Sequence, residues 1–316
     1  MLSVVDRRRP APIDPLAPGH LGRYDDGRVA VSRLRDQGVI AHYFASRPPT
    51  AVTEHFRLYL FGSRVVVLHD LVLDDLDNDL AGLIATELFG PGLLQDPEDF
   101  ARVFTGVVRS TAGDPLSAWL AFYENTLARL RDPDPGQGPI GEFAPIYRRV
   151  ADLVAGTSVL DVGSCFGFLP LLLLEMPGRR VIASDREIGT VRLLTTVARE
   201  RRTPLETLVA DARALPLGDN TVDTVLCIHL LEHLSPRDGE RVFAELVRVA
   251  RRRVVVAVPY EDEPTAAFGH VRAFRAVDLA RLATSTRLSW RVDDFHGGWL
   301  IADKDGGSAE RHDALR

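Results

Sequence analysis

Three carboxylates end apolar runs in the second half of the chain: Asp161 in "VLDVGSCFG", Asp185 in "RRVIASD" and Asp211 in "LETLVADARALPL". A carboxylate at a strand tip can accept both hydroxyls of a ribose in a bidentate contact, and Asp185 stands where it could do so. Further on, "HLLEH" (229–233) follows "VDTVLCI", and "AFGHVRAF" carries His270. Imidazoles titrate near neutral pH, so His229 and His270 are candidate general bases, with Glu232 a third and His296 a weaker one. "HLLEH" also spells His-x-x-Glu-His, a metal-ligand spacing if it lies on a helix. Here it follows directly on a buried strand, and Pro236 lies three residues beyond it. We therefore expect a strand-end loop, no metal, and a structural role for Glu232 and His233.

These groups need elements to hold them. Apolar runs predict strands at 158–162, 180–184, 206–210, 222–228 and 252–258, with helical periodicity at 166–175, 187–202 and 236–250. That alternation implies βαβ units and a parallel sheet. "LSWRVDDFHGGWLIAD" (288–303) adds two late strands joined at Gly297-Gly298. The stretch "GSCFGF" after Asp161 puts Gly163 and Gly167 where a helix would begin, which suits close approach of a ligand to the backbone. It does not fit the G-x-G-x-x-G of a dinucleotide-binding dehydrogenase.

"VLDVGSCFG" resembles the first motif of class I S-adenosylmethionine methyltransferases, Asp-x-Gly-x-Gly-x-Gly, with Cys165 in the middle glycine slot. The three later motifs follow in the matching order, and the resemblance covers about 145–303. It implies a Rossmann-like seven-stranded sheet of order 3-2-1-4-5-7-6 and S-adenosylmethionine as cofactor. It further implies that Asp161 faces the methionine ammonium, that Gly163, Ser164, Cys165 and Gly167 form the cradle, and that Asp185 and Arg186 meet the ribose. Asp211 and Ala212 would meet the adenine, and Cys227 to His229 would line the point of methyl transfer. Cys165 is small enough to be tolerated if its φ is negative. Tyr260 and Glu261, at the tip of the fifth strand, could shape the acceptor pocket.

The first half reads differently. Residues 1–50 are expected to be a flexible arm, 51–141 an α+β accessory or lid domain ending in the linker "RDPDPGQGPIG", 142–303 the methyltransferase domain, and 304–316 a disordered tail. "RLYLFGSRVVVLHDL" (57–71) predicts a hairpin turning at Gly62-Ser63, and "DPLSAWLAFYENTLARL" (114–130) a helix capped by Asp114. Asp74, Asp75, Asp77 and Asp79 are either a solvated helix start or acceptors for sugar hydroxyls. Trp119 and the "FYENTL" stretch are either core or a sugar platform. The acidic "LHDLVLDDLDNDLAGL" stretch together with "DVGSCFGFLPLLL" resembles the methyltransferase family of mycofactocin gene clusters. That resemblance implies a glucose hydroxyl of the mycofactocin oligosaccharide as acceptor.

A net charge of −6 argues against general affinity for nucleic acid or membranes, and no run of residues is long and apolar enough to span a bilayer. Two cysteines are too few for a disulfide framework, which makes a reducing cytoplasm the expectation. Lys304 is the single lysine among 38 basic residues, a bias of GC-rich genomes such as those of actinobacteria. Three rival readings stay open. They are a methyltransferase for a quinone, phenol or other sugar, a silent partner protein that binds the cofactor, and a zinc hydrolase built on "HLLEH".

Overall fold

The computed structural model describes residues 12–17, 22–35, 44, 47–134 and 138–304. The chain divides into two compact units, Met1–Thr126 and Leu127–Arg316.

The first unit is built on a five-stranded sheet of order β1-β2-β5-β4-β3. Its strands are β1 (Arg23–Asp25), β2 (Val29–Arg33), β3 (Ala51–Val52), β4 (Phe56–Phe61) and β5 (Arg64–His69). β4 and β5 form the expected hairpin, paired from Phe61↔Arg64 outward. β1 and β2 correct the expectation of a flexible arm over 1–50. Val29, Ala30 and Val31 are buried and pair in parallel with β5, a short apolar run masked in the sequence by the prolines and arginines around it. The four aspartates of the acidic stretch precede helix α1 (Leu80–Ile84), which continues as a π-helical turn over Ala85–Phe89. Helix α2 (Pro97–Thr111) lies close on the sheet: a Cβ at Gly106 would come within 2.3 Å of Val31.

Helix α3 (Pro115–Arg131) has Asp114 as its cap, accepting from the N–H groups of Leu116 and Ser117. Its aromatic residues are core, not a sugar platform. Trp119, Phe122 and Tyr123 are fully buried, and the Trp119 indole donates to the Pro15 carbonyl at 3.0 Å. The boundary between the units falls within α3, so the Pro/Gly stretch at 131–141 is not the divide. From Gly138 that stretch is already helix α4 (Gly138–Leu153).

The second unit holds a seven-stranded sheet in the expected order. Its strands are β6 (Ser158–Val162), β7 (Arg180–Asp185), β8 (Glu206–Val209), β9 (Val222–Ile228), β10 (Ala250–Val258), β11 (Ser289–Asp294) and β12 (Gly298–Asp303). The order β11-β12-β10-β9-β6-β7-β8 is parallel except for β12, which runs antiparallel to both β10 and β11. This is the Rossmann-like methyltransferase architecture. Helices α5 (Phe168–Leu173), α6 (Ile188–Glu200), α7 (Pro236–Val249) and α8 (Ala276–Thr284) complete it.

Strands covered on both faces are largely apolar, and all seven residues of β9 are buried, Asp223 and Thr224 at its start included. Side chains alternate across the sheet. Leu160, Val225 and Cys227 pack with Val242 and Phe243 of α7 and Leu279 of α8. Val159, Leu226 and Ile228 pack with Ile146 and Val150 of α4 and Leu169 of α5. The helical runs expected at 166–175, 187–202 and 236–250 are present with slightly shorter bounds. The tail expected to be disordered lies outside the described residues apart from Lys304.

Asp223 pins the start of β9 to the start of β6. Its carboxylate accepts from the N–H groups of Thr157 and Ser158 and from the Ser158 hydroxyl, and it pairs with Arg251 at 3.0 Å. Burial acts to raise its pKa, but the Ser158 and Thr157 hydrogen bonds and the Arg251 charge outweigh it and hold the group at about 2. The stability it adds is therefore complete above the ordinary carboxylate value and lost as pH falls toward 2. Asp223→Asn should cost roughly 1–3 kcal/mol in denaturant unfolding at neutral pH, because buried donors lose a charged acceptor. The gap between the two proteins should close below pH 3.

Candidate active site

The carboxyl ends of β6, β7, β9 and β10 bring the candidate residues together, as the strand order requires. Asp161 ends the apolar stretch of β6 and is 3% exposed. Burial, with the nearby Asp185 charge, pushes its carboxyl up to about 7. The turn that follows is tightly wound. Gly163 and Ser164 both donate to the Ser184 carbonyl, and Gly167 donates to the Ser164 carbonyl at 2.7 Å. Gly163 and Gly167 have φ of 76° and 74°. A Cβ at Gly167 would strike Leu194 at 2.4 Å, so glycine is required there. The Ser164 hydroxyl is buried with no partner.

Cys165 departs from its expectation. Its φ is +47°, in the left-handed region, not negative. The conformation is held from outside: the Cys165 N–H donates to Asp185 Oδ2 at 3.0 Å, while Asp185 Oδ1 accepts from Glu187 N–H at 2.9 Å. Each oxygen of Asp185 keeps a second lone pair for a ligand. Arg186 is exposed and pairs with Glu187. Asp211 sits just past β8 and is held in a two-pronged pair by Arg213, with a shortest contact of 2.6 Å, which lowers its carboxyl to about 2. Ala212 is half-buried against the core. Cys227 is fully buried in the apolar layer, so it lines no open surface; the strand's alternation turns it inward.

His229 follows β9 with φ +53°, its N–H bonded to the Ala257 carbonyl of β10. Its ring lies 5.0 Å from Phe143, and its Nε2 is buried with no partner. Burial, then the charges of His270 and His233, lower its pKa to about 4. "HLLEH" is not on a long helix: Leu231–His233 is a single 3-10 turn. Glu232 is fully buried, 3.6 Å from His229 Nδ1, and neither carboxylate oxygen has a hydrogen-bond partner. Burial, with the Glu261 charge, pushes it up to about 8.

The segment after β10 folds over this loop. His270 Nδ1 lies 2.8 and 2.9 Å from the two oxygens of Glu261, and Thr265 Oγ1 donates to the same carboxylate. Burial works against it, but those two hydrogen bonds hold Glu261 below the usual carboxylate range. Glu261 is thus an ionised acceptor, and His270 Nδ1 must donate to it. His233 and His270 meet edge to face at 4.9 Å. The oxygen and nitrogen atoms of Glu232, His233 and His270 come within 4.8 Å of one another, which the expectation of no metal did not foresee. Tyr260 is packed on Gly298, with its hydroxyl buried and unpartnered. His296 stays at the hairpin tip against Phe295.

Phe143 and Tyr147 carry no sequence signal of a site. Both lie on α4, before the first motif, at helical spacing indistinguishable from core. Burial and then the Asp161 and Cys165 charges push the Tyr147 phenol up, which places it beside the turn.

Residues 160–258, from β6 to the end of β10, match the family model described as "Methyltransferase domain". No curated protein matches the chain. Among solved structures it is similar to an S-adenosylmethionine-dependent methyltransferase from Methanosarcina mazei, at 19% identity over 49% of this chain and 96% of that one, with a TM-score of 0.42. A methyltransferase from Aquifex aeolicus is 19% identical over 56% and 96% of the two chains, with a TM-score of 0.43. Magnesium protoporphyrin IX methyltransferase of Synechocystis, bound to S-adenosylhomocysteine, is 18% identical over 57% and 93%, with a TM-score of 0.42. Residues 160–258 are a methyltransferase domain, and its cofactor is S-adenosylmethionine. The site suits that cation: a buried carboxylate with no charged partner at Asp161 and an open-handed glycine turn beside it. No helix among the described residues is long and apolar enough to cross a membrane.

A left-handed non-glycine residue costs roughly 1 kcal/mol. Cys165→Gly should therefore raise stability by about 0.5–1 kcal/mol, offset in part by the freer unfolded chain. A thermal melt compares the two proteins. A drop in Tm would mean that the Cys165 side chain is a packing element of the turn.

Proposed function

We propose that the chain is an O-methyltransferase acting on a sugar hydroxyl, and specifically on a glucose of the mycofactocin oligosaccharide. The observation that carries this reading is the Glu261–His270 pair set beside Glu232 and His229 at the ends of β9 and β10. Sugar hydroxyls are poor acids, and their attack on a methyl group is helped by a base within reach of the proton. A phenol or quinol, ionising more easily, has less need of such a pair. The mycofactocin assignment is supported by the resemblance of the stretch at 68–83 and the turn after Asp161.

S-adenosylmethionine supplies a methyl carbon on a sulfonium, open to in-line displacement. Asp161 would hold the ammonium end of that ligand, the backbone of 163–167 its length, and Asp185 the ribose hydroxyls. Ala212 and Asp211 would border the adenine. His270 would take the acceptor's proton on Nε2 as the new O–C bond forms and the S–C bond breaks. Glu261 acts through His270: it keeps Nδ1 protonated, and so Nε2 free, and is a positioning residue. Of the other two candidates, His229 at about 4 is a weak base at neutral pH, and Glu232 at about 8 is mostly protonated. Their placement suits walls of the acceptor site better than proton transfer.

Two measurements test these roles. With a free-state pKa of about 7, Asp161 must lose its proton to bind an ammonium. The affinity for S-adenosylhomocysteine should rise with pH and level off above 7, falling about tenfold per pH unit below it. Calorimetry in buffers of different ionisation heat should show proton release near pH 6, and Asp161→Asn should flatten the dependence. In the second, glucosylated mycofactocin, a phenol and a quinol are offered in parallel and products followed by mass spectrometry. The oligosaccharide alone should gain a methyl. His270→Ala should lower kcat by about 10²–10⁴-fold. Glu261→Gln should lower kcat while KM and cofactor affinity stay within about threefold. Preference for the phenol would overturn the acceptor assignment.

A further inference from the structure

We infer that Glu232, His233 and His270 form a binding site for a divalent transition-metal ion, which holds the acceptor oxygen beside the methyl donor. The role in methyl transfer rests on the reading above; the site rests on geometry alone.

Three observations converge. One atom from each residue lies within 4.8 Å of the others, a spacing that a single ion can bridge. Glu232 is 1% exposed in its side chain, yet both its oxygens lack a hydrogen-bond partner. A buried carboxylate without a donor is costly, and such groups are normally paired or metal-bound. Neither neighbouring base gives it a hydrogen bond: His229 Nδ1 stays 3.6 Å away, and Arg272 donates through Nε to the Leu231 carbonyl and lies over the Phe274 ring at 4.0 Å.

The third observation concerns the two imidazoles. His233 Nδ1 lies 3.2 Å from the Gly269 carbonyl, which can only accept, so that nitrogen carries the proton. His270 Nδ1 lies 2.8 Å from a carboxylate oxygen of Glu261, an acceptor, and so donates there. Both rings are thereby fixed in the tautomer with a lone pair on Nε2. A metal-bound histidine commonly gives its other N–H to a carboxylate or a backbone carbonyl, and here each of the two has such a partner. Two imidazoles and one carboxylate are a borderline donor set that suits Zn²⁺ or Mn²⁺ and leaves coordination positions open; Mg²⁺ and Ca²⁺ favour oxygen donors. With the ion seated, His270 Nε2 would serve as a ligand in place of the base role given above. The ion would acidify the acceptor hydroxyl, whose proton would pass to solvent water as the O–C bond forms and the S–C bond breaks. "HLLEH" then supplies two of the three ligands, with the third coming from across the fold.

The full-length protein, stripped with a chelator and dialysed, is titrated calorimetrically with Zn²⁺, Mn²⁺ and Mg²⁺, and separately with S-adenosylhomocysteine. One equivalent of Zn²⁺ should bind at about micromolar strength or tighter, with Mg²⁺ weaker by tenfold or more. Glu232→Gln should weaken Zn²⁺ binding by roughly 100-fold, and so should His233→Ala, an exposed position that tolerates truncation. Cofactor binding by each variant reports folding. Methylation should stop on chelation and return with Zn²⁺ or Mn²⁺. No Zn²⁺ binding, or Zn²⁺ binding unchanged in both variants, would overturn the site, and persistent methylation in that case would leave the reading above intact. Zn²⁺ bound and lost in the variants, with no hydroxyl methylated, would uphold the site and sink that reading.

Discussion

One hydrogen bond organises the ligand-facing end of the sheet: the Cys165 N–H donating to Asp185 Oδ2. It joins the turn after β6 to the tip of β7, two elements that the sheet holds side by side in parallel. The bond requires Cys165 to take a left-handed backbone, and the two flanking glycines do the same. In return the turn is drawn tight against the Ser184 carbonyl, and small residues border the space between the two strand tips. The carboxylate that ties the turn is also the one placed for a ribose, so shaping the cradle and filling it draw on the same group. That dual use explains how a cysteine can stand in a glycine slot. Its conformation is set by its neighbour's carboxylate, and the cost of the missing glycine is about that of a single hydrogen bond to a charged group.

The second constraint is electrostatic. The apolar layers on both faces of the sheet leave the strand ends poorly hydrated, and four ionisable groups answer in opposite directions. Asp161 and Glu232 move up, to about 7 and about 8, and His229 and His233 move down. Every shift runs toward the neutral form, as desolvation demands. These four groups are therefore biased toward the neutral form in the free protein, while Glu261 beside them stays ionised. Such groups collect where ligands bind, since a fold selected for stability alone would replace them with apolar residues.

The sheet was legible because its signals are local. Each strand is a short apolar run, and the order of the seven was what the resemblance to class I methyltransferases implied. Asp161, Asp185 and His229 were legible for the same reason, as the last residues of such runs. Cys227 misled because alternation alone does not say which face of a doubly covered strand looks toward a ligand. Trp119 misled because an aromatic on an amphipathic helix reads alike whether it lines a pocket or a core. The φ of Cys165 depends on a carboxylate twenty positions away, beyond any local rule. Tyr147 and Phe143 precede the first motif and carry no signature of their own.

The pentapeptide "HLLEH" shows where spacing ceases to be sufficient. On a continuous helix, positions four apart share a face, and His229 and His233 would form a pair. Here β9 ends at Ile228, His229 adopts a left-handed backbone, and only one 3-10 turn follows. The two histidines are thereby separated. His229 turns toward Phe143 and Glu232, while His233 meets His270 from the segment after β10. The same letters on a different backbone exchange a partner four residues away for one thirty-seven residues away. The exchange also hands each of His233 and His270 an acceptor for its second nitrogen, Gly269 and Glu261, that a helical arrangement would not have supplied. The chemistry of the motif is decided by the strand that ends before it and the loop that folds over it.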